Sequence, residues 1–180
     1  LDAVTGLSNL KGLTRWFDNY CADPDSHLHP LALSVYCINS YSYIYENYGI
    51  GDTEEIAKLT GSKLSSVNSN ALIVARISDD QFVVVNSAES NADLSWMVDR
   101  FAKVFFTHIE AWNAASSKQY YVEINSGFSM MESGWENTTL ENLIRLALGE
   151  LYLNLMRSAS RDVVKQPANS PAMYSAFSLL

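Results

Sequence analysis

Ser78, Asp79, Asp80 and Gln81 set a hydroxyl, two adjacent carboxylates and a carboxamide in four consecutive positions. Grouped oxygen donors are the chemistry that a hard divalent cation needs, and a nucleotide phosphate can be held through such a cation. The flanks decide how the group is presented. Ala71-Leu72-Ile73-Val74-Ala75 precedes it and Phe82-Val83-Val84-Val85 follows, both short, apolar and rich in β-branched residues. With Ser-Asp-Asp between them the pattern predicts a buried hairpin with an acidic tip. Turn geometry alone also accounts for both aspartates, since Asp at a turn accepts hydrogen bonds from its own backbone, and taken alone the pattern favours that plainer reading.

No other cluster competes. Cys21 and Cys37 are the only cysteines, and Cys37 lies in an apolar run, so neither a disulfide framework nor a zinc site is indicated and a reducing cytoplasm is expected. His27, His29 and His108 have no acidic or cysteine partner at ligand spacing and are expected in surface or capping roles. The formal net charge of -8 argues against a nucleic-acid partner, which would require a cationic footprint. No apolar run approaches a membrane span, so no membrane contact is expected from this segment.

Around the hairpin, Leu10, Leu13, Trp16, Phe17 and Tyr20 follow Ser8-Asn9 at helical spacing, ending near Asp23-Pro24. Leu31 to Ile38 reads as a buried strand. A tyrosine-rich segment, residues 41–48, leads to Gly49, and Asp52 with Glu55 predicts a capping box for the next helix. Residues 91–113 form the clearest amphipathic helix, and residues 120–130 its partner strand. Thr138 with Glu141 predicts a second capping box, for the last long helix, and Val163-Val164 a final strand. Irregular alternation with hairpins predicts an α+β domain over residues 1–165 with a central, mostly antiparallel sheet. Residues 166–180, with Pro167 and Pro171, read as a linker or tail leading to a further domain.

Several co-linear segments then match one family. Leu1-Asp2-Ala3-Val4-Thr5-Gly6-Leu7-Ser8-Asn9 resembles the D-x-L-T-G-L-x-N opening of GGDEF domains, the diguanylate cyclases of bacterial cyclic di-GMP signalling. Residues 31–47 fall where that family has a strand and D-I-D-x-F-K-x-I-N-D, and Tyr48-Gly49 takes the place of its Y-G. Arg76 to Phe82 is similar to R-x-G-G-D/E-E-F, Asn125-Ser126-Gly127 to S-x-G, Ala147 with Leu151-Tyr152 to A-D-x-A-L-Y, and Arg161-Asp162-Val163-Val164 to G-R-N-x-V. The resemblance implies a nucleotide-cyclase-like palm fold and, in the family, magnesium ions held by the first Asp of D-I-D and an acid of the signature.

The chain departs from the family where that chemistry sits. The first D-I-D position is Cys37 and the second aspartate is Asn39. The signature reads Ser78-Asp79-Asp80-Gln81-Phe82, so only Asp80 and Phe82 match, leaving Asp80 as a vestigial metal ligand. By ungapped correspondence the guanine-reading positions are Tyr45 and Glu54, the phosphate-contacting lysine is Leu155, and the inhibitory R-x-x-D falls on Ser69 and Leu72. The resemblance therefore implies a catalytically inactive regulatory or protein-interaction module that needs no cofactor. Its partners would be a neighbouring sensor or phosphodiesterase domain, or a like domain as homodimer. A purine nucleotide sensor without turnover and a residual cyclase are the alternatives. The tyrosines from Tyr36 to Tyr48 are expected to fill the space of the lost nucleotide pocket, the alternative being a stacking or protein-binding surface.

Overall fold

The computed structural model describes residues 1–165. Helix α1 (Leu10–Ala22) is followed by a short 3-10 helix (Pro24–Leu28), strand β1 (Leu31–Ile38), helices α2 (Tyr41–Tyr48) and α3 (Ile50–Val67), and the hairpin strands β2 (Ile73–Arg76) and β3 (Gln81–Ser87). Helix α4 (Asn91–Ala115), strand β4 (Ile124–Met131) and helix α5 (Leu140–Lys165) complete it. The strands order as β2-β3-β1-β4 and every pairing is antiparallel, so the expected α+β architecture is present.

Helices cover both faces of this sheet, which is why β1 reads as an apolar run, interrupted only at Ser34, instead of an alternating one. Leu31, Leu33 and Val35 join Val83 and Val85 beneath Leu13 and Phe17 of α1 and Leu143 and Ala147 of α5. Tyr36 and Ile38 join Phe82 and Val84 on the opposite face, against Ile56 and Leu64 of α3 and Phe105 and Ile109 of α4. Gly127 is required where α5 crosses β4. A Cβ there would lie 2.8 Å from Leu151 Cα and closer still to the Ala147 carbonyl oxygen and the Leu151 amide nitrogen. Gly49 separates α2 from α3 at φ +88°, a conformation other residues rarely adopt.

Asn9, just before the helical pattern, caps α1, its side-chain oxygen accepting from the Gly12 amide at 2.9 Å. Four expectations are corrected. Gly49, not Asp52, precedes α3, and Asp52 and Glu55 instead pair with Lys118 at 2.5 and 3.0 Å. The residue capping α5 is Thr139, whose hydroxyl accepts from the Asn142 amide at 3.1 Å, while the Thr138 hydroxyl is buried without a partner. Strand β4 starts at Ile124 and not at residue 120, because the Asn113 carboxamide bonds both the amide and the carbonyl of Val122, at 2.8 and 2.9 Å, in place of a neighbouring strand. Val163-Val164 continue α5 as helix, with no proline to stop it before Pro167. The linker reading of residues 166–180 lies outside the described residues. No helix among the described residues is long and apolar enough to cross a membrane.

Candidate functional site

The hairpin forms as its turn chemistry predicts, closed by the Ile77 amide donating to the Gln81 carbonyl at 2.9 Å. Its tip is tied to the end of β1. Cys37 pairs in register with Gln81, and the Ile38 amide donates to the Asp80 carbonyl at 2.8 Å. The strand therefore delivers Cys37 to the acidic tip, with Sγ 3.7 Å from Asp80 Oδ2. Ser78 donates to the other carboxylate oxygen at 3.1 Å. Asp80 is half-buried between these two donors, whereas Asp79 is exposed, so the adjacent aspartates do not act as one pair.

Burial pushes the Cys37 thiol up to about 12, and the neighbouring Asp80 charge and its hydrogen bond add to the effect. At neutral pH the group is a neutral thiol donating weakly to a carboxylate. It is neither a nucleophile nor a charged oxygen ligand. Among the described residues no three His, Cys, Asp or Glu side chains gather in a way that could hold a metal ion.

Sequence reasoning missed what holds the tip in place. Arg76, 6% exposed, points one nitrogen at both carboxylate oxygens of Asp2, at 3.3 and 3.4 Å, and donates through the other to the Asp79 carbonyl at 2.7 Å. Its guanidinium carbon lies 6.0 Å from the Phe82 ring centroid. Burial pushes the Asp2 carboxyl up, but hydrogen bonds from the Thr5 hydroxyl and amide, together with the Arg76 charge, outweigh it and hold the group below the usual carboxylate range. The N-terminal segment is also stitched to β2 directly. Ser8 bridges Ala75 in parallel, and the Arg76 amide donates to the Ser8 carbonyl at 2.8 Å. The available signal was Arg76 itself, a permanent charge ending an apolar strand, which demands a carboxylate brought from elsewhere in the chain.

The remaining predicted positions scatter. Tyr45 sits on the outside of α2, 53% exposed, and Glu54 is half-buried near the start of α3. Leu155 is half-buried on α5, and Ser69 and Leu72 are exposed before β2. The tyrosines divide, contrary to the pocket-filling expectation. Tyr36 is buried and Tyr41 packs against the core, while Tyr43, Tyr45 and Tyr48 remain exposed. His27 has a structural role, with Nδ1 2.8 Å from the Trp135 carbonyl and its ring centroid 4.2 Å from the indole.

Comparison with known proteins agrees with this fold. The family model described as diguanylate cyclase, GGDEF domain, matches residues 1–159. Diguanylate cyclase DgcP of Escherichia coli (strain K12) is 24% identical over 102 residues, and the match covers 55% of this chain but 29% of that protein. Among solved structures, the GGDEF domain of TpbB (YfiN) from Pseudomonas aeruginosa is similar at TM-score 0.70 and 17% identity, covering 87% of this chain and 88% of that one. The GGDEF domain of DgcB from Caulobacter crescentus, in complex with c-di-GMP, gives 0.68 at 16% identity over 85% and 88%. The FimX GGDEF domain from Pseudomonas aeruginosa gives 0.65 at 13% identity over 84% and 90%. At these identities the structures speak for the fold, and the family match over most of the chain supplies the rest: this chain belongs to the diguanylate cyclase GGDEF domain family.

Proposed function

We propose that this domain is a non-catalytic member of its family, acting as a regulatory or protein-interaction module in cyclic di-GMP signalling. One observation carries the reading. At the end of β1, where the family has its first metal-binding aspartate, the Cys37 thiol sits protonated 3.7 Å from Asp80, in register with the carboxamide of Gln81.

The family uses magnesium, and the residues here do not fit it. Magnesium is bound through carboxylate and phosphate oxygens. This donor set offers one half-buried carboxylate, a neutral thiol and two carboxamides, Asn39 and Gln81. Neither the thiol nor a carboxamide supplies the missing charge. The leading signature glycines are replaced by Ser78 and by Asp79, whose charge would oppose a phosphate. Losing one preorganised electrostatic contact lowers a rate by roughly 10² to 10³, and several are altered together. The partner would be a sensor or phosphodiesterase domain in the same protein, or a like domain, and a cytoplasmic location follows from that role.

Incubation with GTP and Mg²⁺ or Mn²⁺, followed by chromatography for cyclic di-GMP, tests the reading; no product above a protein-free control is expected, and turnover refutes it. A purine sensor without turnover is the second reading, favoured by the Glu54 carboxylate retained on α3 at a base-reading position. Calorimetry with GTP separates the two, since micromolar binding without product selects the sensor.

A further inference from the structure

The outer side of α2 is aromatic and carries no cation. Tyr43 and Tyr48 are 55% and 38% exposed, Ile50 just beyond the helix is 64% exposed, and Tyr121 before β4 is 71% exposed. The rings run together. Tyr43 and Tyr48 have centroids 6.3 Å apart, and Tyr48 and Tyr120 are 4.7 Å apart. The Tyr48 hydroxyl reaches the Gln119 carbonyl at 3.5 Å. Lys118 fixes the loop bearing Tyr120 and Tyr121 against α3 by pairing with both Asp52 and Glu55. The tyrosines thus stand on a surface anchored from two elements.

The surrounding charge is one-sided. Helix α2 carries Glu46 and no lysine or arginine, residues 119–132 contain Glu123 and Glu132 and again no base, and on α3 Lys58 follows Glu54 by one helical turn. Lys118 is already engaged by two carboxylates, so it does not offset Glu46 and Glu123. Exposed tyrosine faces beside uncompensated carboxylates attract a planar, weakly hydrated cation that can stack and pair at once, which describes a guanidinium better than an ammonium. Tyrosine and arginine are also enriched at the energetic centres of interfaces.

We propose that this tyrosine face docks an arginine-bearing segment of a partner protein. The inference rests on reading the domain as an interaction module, and it names the chemistry of the partner. A second copy does not suit this face, because it would set acid against acid between two chains of formal net charge -8.

The test uses two-dimensional NMR of the labelled domain with three synthetic probes, four-repeat Arg-Gly, Lys-Gly and Glu-Gly peptides with blocked ends. The Arg-Gly peptide is expected to shift resonances of α2 and residues 119–123, the Lys-Gly peptide to bind more weakly, and the Glu-Gly peptide not at all. The double variant Tyr43→Ser, Tyr121→Ser removes two exposed rings and is expected to weaken Arg-Gly binding by on the order of tenfold with unchanged Tm. The charge reversal Glu46→Lys is a second, fold-neutral variant expected to weaken it as well. Three results would overturn the proposal: no Arg-Gly binding, shifts spread evenly over the acidic surface, or wild-type affinity in both variants. Failure of the peptide in a domain that makes no cyclic di-GMP removes the docking face alone. Turnover of GTP removes the reading beneath it.

Discussion

Replacing Cys37 by aspartate probes the site where the account is most exposed. In Cys37→Asp a second carboxylate stands where Sγ now lies 3.7 Å from Asp80 Oδ2. Two unit charges about 4 Å apart repel by about 4 kcal/mol at an effective dielectric near 20. Part of this is relieved if the new carboxylate keeps a proton or turns toward water, leaving a destabilisation of roughly 1 to 3 kcal/mol. In a domain of this size that lowers Tm by about 2 to 12 °C. The same change creates an oxygen-donor pair, so a divalent cation should restore stability; at a hundredfold excess over its Kd the recovery is about 2.7 kcal/mol. The assay is thermal unfolding of wild type and variant in EDTA and in millimolar Mg²⁺. The account expects the wild type to be indifferent to Mg²⁺, and the variant to be less stable in EDTA and rescued by the ion. A wild-type domain stabilised by Mg²⁺ as strongly as the variant would refute it, because the native donor set would then suffice.

Three further outcomes follow from the packing and the titrating groups. Gly127→Ala forces a methyl into the backbone of α5 near Leu151; calorimetry should find about 3 kcal/mol lost and Tm lower by roughly 6 to 12 °C, and an unchanged Tm would contradict the observed crossing. Arg76→Ala leaves Asp2 and the Asp79 carbonyl without their buried partner, a loss of about 3 kcal/mol by urea denaturation. Because the folded Asp2 carboxyl is held low, its contribution is full above the ordinary value of about 3.9 and fades as pH falls through the lower folded one, an acid-side step that Arg76→Ala should weaken. Burial, and secondarily Asp18, also raises the Cys21 thiol, so Cys37 is best followed in a Cys21→Ser background. With its pKa near 12, Cys37 should react with a disulfide reagent at pH 8 on the order of 10³ times more slowly than a free thiol; reaction at the free rate would remove the neutral-thiol argument.

Local pattern reveals local structure in this chain, and fails where a distant side chain intervenes. The span Leu31–Ile38 was legible because apolar residues fill every position but Ser34 of a strand buried on both faces. The hairpin was legible from its turn residues, and α4 from its apolar stripe. The start of β4 was not, since the Asn113 carboxamide stands in for a strand at Val122. Nor was the start of α3, where the backbone conformation of Gly49 does the work that Asp52 was expected to do. At the candidate site, the juxtaposition of Cys37 and Asp80 was implied by the family resemblance alone, and the strand register that creates it came from the structure. The clasp from Asp2 through Arg76 to Asp79 did not, because it joins positions 74 residues apart that no local spacing connects. The split among the tyrosines was also hidden, since a residue apolar on one side and polar at its tip suits a core and a surface alike.

The proposed inactivity requires that the site at Cys37 and Asp80 not hold a metal-bound triphosphate. Equilibrium dialysis of the domain against Mn²⁺ and a non-hydrolysable GTP analogue, with both counted on each side of the membrane, tests it most directly. No retention of the metal–nucleotide pair above a protein-free control is expected; stoichiometric retention of both, abolished by Asp80→Asn, would show that the site holds them.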